Sequence, residues 1–262
     1  MKLNNTYLVV DSGGTGSSPD WNQAHALISK VITSMRWPDK KGINGFAIPR
    51  IVSIKVGDAY TNETGRIMRV RGKVKTLRNG VRPLRDQFRR LMADENCKAE
   101  EPLSLAPFFL RLREKTSVEF PKYPRTELKE KVEFNESVGN FDFWFETKTG
   151  FKTVVEWETG NISSSHRSLN KMCLALMGGL VDAAVLIVPS RKLYVHLTDR
   201  IGNIHELQPY FYYWTQFGRL IEKGLLAIIE VEHDSLFQSK DLRQFVPTGS
   251  DGNSPRGSRK KR

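Results

Sequence analysis

Residues 140–161, NFDFWFETKTGFKTVVEWETGN, hold the side chains best placed to do chemistry. Phe141, Phe143 and Phe145 alternate with Asp142, Trp144 and Glu146, which is the period of a strand. TKTG then turns the chain. On the returning strand Val154, Glu156 and Glu158 share one face, because residues two apart point the same way. Asp142 on the paired strand reaches that face, so three carboxylates are expected to converge on an otherwise apolar sheet. Like charges at such range raise one another's pKa, and burial adds to the penalty. A bound divalent cation reverses the balance, and carboxylate oxygens suit Mg²⁺ or Mn²⁺. The chemistry that fits is phosphodiester hydrolysis. The ion would polarise the scissile phosphate, lower the pKa of a water and neutralise charge on the leaving oxygen. The D-x13-E-x-E spacing is loose, and a hairpin whose acids merely face solvent fits it too.

Other candidate motifs carry less. DSGG at residues 11–14 has only ten residues before it, so it cannot follow the upstream His and Asp of a trypsin-like order. Gly13, Gly14 and Gly16 are not followed by G-K-[ST], so they read as a turn into the first helix rather than a phosphate loop. His25, His166, His196, His205 and His233 show no zinc spacing. Cys97 and Cys173 give neither a disulfide framework nor a metal motif. Trp144, Trp157 and the aromatics of residues 210–214 read as core or subunit contact rather than a base-stacking platform.

These residues must be positioned by a domain of ordinary size. The chain has 262 residues, 39% of them hydrophobic, enough for one sizeable core without staples, and residues 1–262 are read as a single domain. Helices are expected at residues 20–35 with Asp20 as N-cap, at 81–93 with Pro83 in the first turn, at 103–115 and at 163–178, ending at Gly178 and Gly179. A further helix with an aromatic face is expected at 203–217. Strands are expected within 127–158, at 181–188 and at 225–231. Alternating strands and helices in the second half suggest an α/β or α+β sandwich. The longest apolar run, residues 183–189, falls far short of the roughly 20 residues of a membrane span. Residues 7–10 are too short for a secretory signal, which needs about 7–15 apolar residues. A soluble, cytoplasmic protein is expected.

The charge points to a polyanion. Forty-one Lys and Arg against 29 Asp and Glu leave a formal +12. Eight basic residues and no acidic one lie between Arg66 and Arg85. Arg69, Arg71, Lys73 and Lys75 alternate with Met68, Val70, Gly72 and Val74, so residues 45–78 are expected to form a basic hairpin, with 46–56 as a strand and 57–65 as its turn. That hairpin is either a phosphate-contacting element or an edge whose charges block aggregation. Residues 248–262 form a basic C-terminal tail that ends in RKKR.

Longer motifs sharpen the picture. GNISSSHRSLNK follows Glu158 directly, and LTDRIGNIHELQPYF and GSDGNS come later. With EWETGN they resemble the BamHI type II restriction endonuclease family, from Asp142 to Phe211 and again near the C-terminus. Weaker echoes are NGVRPLRD at residues 79–86 and REK at 113–115. The resemblance implies a PD-(D/E)xK nuclease core, a mixed central sheet flanked by helices. It implies that Asp142, Glu156 and the carbonyl of Trp157 hold Mg²⁺, which Mn²⁺ may replace, with Glu114 as an additional acid. Glu158 stands where most of that superfamily has lysine, and would orient or deprotonate the attacking water.

The resemblance also implies base contacts by Asn161, Ser163, Arg167, Asp199 and Arg200, and a late loop at Asp251 and Gly252 that touches DNA. Those types suit base edges, since Arg pairs with guanine, Asp accepts from cytosine and Asn pairs with adenine. Arg85 would contact phosphate. The implied site is GGATCC in double-stranded DNA, cut by a homodimer whose interface uses helices 163–178 and 203–217. A cognate DNA methyltransferase is expected in the same cell. The N-terminal hairpin has no counterpart that aligns with the family, and the tail is short and proline-containing. Two other functions use the same residues: a shape-specific DNA repair nuclease, and a sequence-specific DNA-binding protein that has lost cleavage.

Overall fold

The computed structural model describes residues 1–38, 44–95, 97–99, 140–198 and 201–248. The expected helix at 103–115, Glu114, Asp199, Arg200, Asp251, Gly252 and the basic tail beyond residue 248 lie outside these residues. Among the described residues twelve strands are numbered in chain order. They are β1 (Lys2–Ser12), β2 (Ala47–Pro49), β3 (Val52–Ile54), β4 (Ala59–Thr61), β5 (Ile67–Arg69), β6 (Lys75–Leu77), β7 (Lys98–Ala99), β8 (Phe143–Glu146), β9 (Lys152–Trp157), β10 (Ala183–Pro189), β11 (Gly224–Glu232) and β12 (Ser235–Phe237). Six of them form the central sheet, in the order β1-β11-β10-β9-β8-β7. β9, β10 and β11 run parallel, while β1, β8 and β7 pair antiparallel, so the sheet is mixed as expected.

The sheet is covered on both faces, which is why β10 is apolar at every position. On one side lie helices α1 (Pro19–Ser34) and α2 (Arg82–Asp94). Their Ile28, Ile32, Phe88 and Met92 pack with Phe143, Val155, Trp157, Val185, Ile187 and Ile229. On the other side lies α3 (Ile162–Met177), whose Leu169, Met172, Cys173 and Leu176 pack with Val154, Ala184, Leu186, Leu226 and Ile228. Successive residues of β9 and β10 thus feed opposite cores. The carboxyl end of α3 closes as expected. Gly178 donates to the Leu174 carbonyl at 3.0 Å, and Gly179 (φ 61°) donates to Leu176 at 2.9 Å.

Several expectations need correction. The cap of α1 is Ser18, whose hydroxyl accepts from the Trp21 amide at 3.1 Å. Asp20 sits inside the first turn and instead accepts from Thr147 at 3.3 Å and from Thr149, tethering the β8–β9 turn. Residues 203–217 are not one helix. They break into helical turns at Ile204–Leu207 and Phe211–Thr215 with 3-10 turns at Gln208–Tyr210 and Gln216–Leu220. Pro209 supplies no amide for a continuous helix. Trp214 is buried there, whereas Tyr212 is 77% exposed.

The expected hairpin is also more divided. β2 pairs parallel with β12, while β3 pairs antiparallel with β6 and β4 antiparallel with β5, so residues 46–56 serve two sheets. The turn lies at residues 62–66, where the Asn62 side chain accepts from the Thr64 and Arg66 amides at 3.1 and 2.8 Å. Only Val70 of the alternating residues is buried; Met68 and Val74 are exposed. Its small core is Ile54, Val70, Leu77 and Phe245.

Asn79 fastens the base of this arm. The fully buried side chain donates to the carbonyls of Pro49 and His196 at 2.9 and 3.0 Å and accepts from the Val246 amide at 3.1 Å. Gly80 follows because a Cβ there would meet the Pro247 carbonyl oxygen at 1.9 Å. Replacing Asn79 with Ala removes three hydrogen bonds and strands the Pro49 carbonyl and the Val246 amide, and is expected to cost about 3 kcal/mol of unfolding free energy in urea titration. Both cysteines are free and buried, and burial pushes the Cys97 thiol up to about 11 and the Cys173 thiol up to about 12. Neither should react with iodoacetamide at pH 8 until denaturant is added, as mass spectrometry would show.

Candidate active site

β8 and β9 pair antiparallel, with Phe143 opposite Val155. Asp142 lies one residue before β8, and its carboxylate accepts from the Trp157 amide at 2.9 Å. Glu156 and Glu158 follow on the same face of β9 and just beyond it, both buried. The three acids therefore line the end of the β8–β9 ribbon, as their spacing predicts. They do not, however, pool their oxygens. Among the described residues no three His, Cys, Asp or Glu side chains gather closely enough to hold a metal ion as they stand. Each carboxylate has its own donor instead, because an unpartnered charge at the edge of an apolar core is too costly.

The partners come from different elements. Glu156 is paired with the ammonium of Lys171 from α3. Lys171 also donates to the Asn140 carbonyl at 2.6 Å and lies 4.3 Å from the Phe141 ring centroid. Glu158 accepts from the Gly160 amide at 2.6 Å with one oxygen and from the Ser165 hydroxyl with the other. Two glycines make room for this arrangement. A Cβ on Gly160 would meet the Ser164 side chain at 2.5 Å, and one on Gly202 would meet Ser165 Oγ at 1.9 Å.

Burial dominates the electrostatics. It pushes the Glu158 carboxyl up to about 7, against the pull of the Ser165 and Gly160 hydrogen bonds, with a further push from Glu156. Burial raises Asp142 too; the Trp157 amide pulls it down, Glu156 pushes it up, and Arg85 and Arg89 pull it down. A hard cation would relieve both strains, and the donor set is all oxygen, so the residues fit Mg²⁺.

The adjoining surface is formed by the start of α3. Asn161 caps it, accepting from the Ser164 amide at 3.2 Å. Asn161, Ser163 and Arg167 are exposed, and the last two are four residues apart on one helix face. Arg85, on α2, pairs with its neighbour Asp86 at 3.1 Å and also acts on Asp142. Glu114, Asp199, Arg200, Asp251 and Gly252 lie outside the described residues. Sequence reasoning missed Lys171, Ser165, Gly160, Gly202 and Arg89. A lysine directly before buried Met172 and Cys173 was the one usable signal for Lys171.

The chain is similar to known proteins along most of its length. The family model "Restriction endonuclease BamHI" matches residues 1–253. The type II restriction enzyme OkrAI of Oceanobacter kriegii is 50% identical over 99 residues, which is 38% of this chain and 48% of that protein, so the match spans about half of OkrAI. The type II restriction enzyme BamHI of Bacillus amyloliquefaciens is 34% identical over 184 residues, covering 70% of this chain and 71% of that one. Among solved structures, restriction endonuclease BglII complexed with a DNA 16-mer matches with a TM-score of 0.51 at 10% identity, over 89% of this chain and 79% of that one; it supports the fold alone. With a family model matched from residue 1 to residue 253, and 34% identity to a relative across more than two thirds of both proteins, the chain belongs to the BamHI restriction endonuclease family.

Proposed function

We propose that the protein is a Mg²⁺-dependent type II restriction endonuclease that cuts both strands of DNA at a short palindrome, GGATCC, as a homodimer. The observation that carries this reading is the row Asp142, Glu156 and Glu158 at the end of the β8–β9 ribbon, beside the exposed start of α3. Asp142 and Glu156 would hold the ion with the Trp157 carbonyl, and Glu114 would add a carboxylate. When bound, Mg²⁺ supplies charge neutralisation at the scissile phosphate. Glu158 takes a proton from the attacking water. A carboxyl whose proton affinity lies near neutrality suits a general base at physiological pH. Gly160 and Ser165 hold that carboxyl in place. Arg85 and Arg89 act electrostatically on Asp142 and suit a phosphate oxygen.

GGATCC is supported by the match of Asn161, Ser163, Arg167, Asp199 and Arg200 to the family's base-facing positions, and of Asp251 and Gly252 to its late loop that touches DNA. A palindrome calls for two-fold symmetry. Exposed Tyr210, Tyr212, Tyr213 and Leu220 beside α3 provide an apolar surface for a second copy. Cutting DNA inside a cell requires a methyltransferase of the same specificity, so the protein is placed in the cytoplasm with that partner. Among the described residues no helix is long and apolar enough to cross a membrane.

Three experiments test this. Plasmid incubated with Mg²⁺ should give discrete fragments whose sequenced ends lie within GGATCC. A smear would favour a shape-reading nuclease, and uncut DNA a binding protein. Glu158→Gln should slow cleavage by about 10²–10⁴-fold while leaving DNA affinity unchanged in gel shift. The third experiment concerns the basic arm. Arg66, Arg71 and Lys73 are exposed on it, whereas Arg69 and Lys75 are engaged by Gly57 and Tyr60. Replacing those three exposed residues with Ala should flatten the salt dependence of DNA binding by about 0.9 for each phosphate that is no longer neutralised. An unchanged slope would assign the arm a purely structural role.

A further inference from the structure

Lys171 brings an ammonium directly onto a carboxylate of the site. It is only 8% exposed, on a helix whose neighbouring side chains belong to the core. Its three partners have a common origin. Glu156 is expected to hold the ion, and Asn140 and Phe141 lead directly into Asp142. The ammonium thus supplies to Glu156 the positive charge that a divalent cation would otherwise supply.

We propose that Lys171 is a stand-in cation, which holds Glu156 while the protein is free and yields that carboxylate when a divalent ion is taken up. The inference rests on reading Glu156 as a metal ligand. Lysine suits the task because its compact charge rides on a flexible stem, unlike the rigid fork of arginine. Two of its three contacts, the Asn140 carbonyl and the Phe141 ring, survive its departure from Glu156. The ammonium therefore keeps a hydrogen bond and a cation–π contact instead of being left bare in the interior. A buried pair between two residues that never separate would need neither.

The test uses Mn²⁺ and the DNA-free protein, with bound ion followed by electron paramagnetic resonance. Wild type is compared with Lys171→Met, Lys171→Gln and the double variant Lys171→Met with Glu156→Gln. Loss of the ammonium should tighten Mn²⁺ binding on the order of tenfold or more, since the ion no longer competes with an internal cation. The double variant should lose that gain. In EDTA the single variants should melt below wild type, and Mn²⁺ should close the gap. Lys171→Gln keeps a donor for Asn140 and is read in the same way should Lys171→Met fail to fold. Equal or weaker Mn²⁺ binding in folded single variants would make Lys171 a plain structural partner and overturn the proposal. Mn²⁺ binding by none of the proteins would remove the metal reading of Glu156 itself, and this inference with it.

Discussion

Ionised carboxylates at the end of an apolar sheet are expensive, and the local structure is arranged around that expense. Moving such a charge out of water costs several kcal/mol even after relaxation, unless donors replace the lost hydration. The three acids of the β8–β9 ribbon find three kinds of donor. Asp142 takes the Trp157 amide, Glu158 takes an amide and a hydroxyl, and Glu156 takes an ammonium. Two of the three depend on α3. Glycine at 160 and 202 follows from the same constraint, because a Cβ at either would strike the serines that crowd Glu158.

α3 therefore has several jobs at once. Leu169, Met172, Cys173 and Leu176 fix it to the sheet. Ser165 and Lys171 reach the acids. Asn161, Ser163 and Arg167 remain outside, at its exposed start. Placing these exposed residues and the acid-supporting ones on one rigid helix keeps their separation constant, which a reaction sensitive to small displacements requires. A loop carrying the same residues would not hold that distance.

The sequence made legible whatever rests on short-range periodicity. β10 and β11 announced themselves as apolar runs, and α3 by a helical stripe with a glycine stop. Asp142, Glu156 and Glu158 were legible because period two and one turn suffice to place them. Lys171 and Ser165 were not, since a lysine and one of three consecutive serines gain meaning only when the helix is laid on the sheet. β1 escaped because it is an edge strand with polar residues such as Asn4 and Asn5, which bond to Glu232 and Glu230 across the ladder. Asp20 misled for the opposite reason: it has the chemistry of a cap, but Ser18 reached the amide first and Asp20 was left for the threonines of a distant turn.

The arm, which falls within the residues matched by the family model, is held more by its base than by its own core. Its apolar cluster is small, and Ile67 near its tip is 79% exposed. Its position is instead fixed at the base by Asn79, whose side chain bonds Pro49, His196 and Val246. The Asn79 backbone adds a donated bond to His196 and an accepted one from Thr198. His196 and Thr198 lead into Asp199 and Arg200, and Val246 leads toward Asp251 and Gly252. One buried amide thus joins the base of the arm to His196 and Val246. Buried polar networks of this kind are stable only when every member is satisfied, and that property adds to the shared packing of Ile48, Leu197 and Val246 in fixing the relative position of the three chain segments. The base of the arm is consequently held at a set place relative to the chain at His196, Thr198 and Val246.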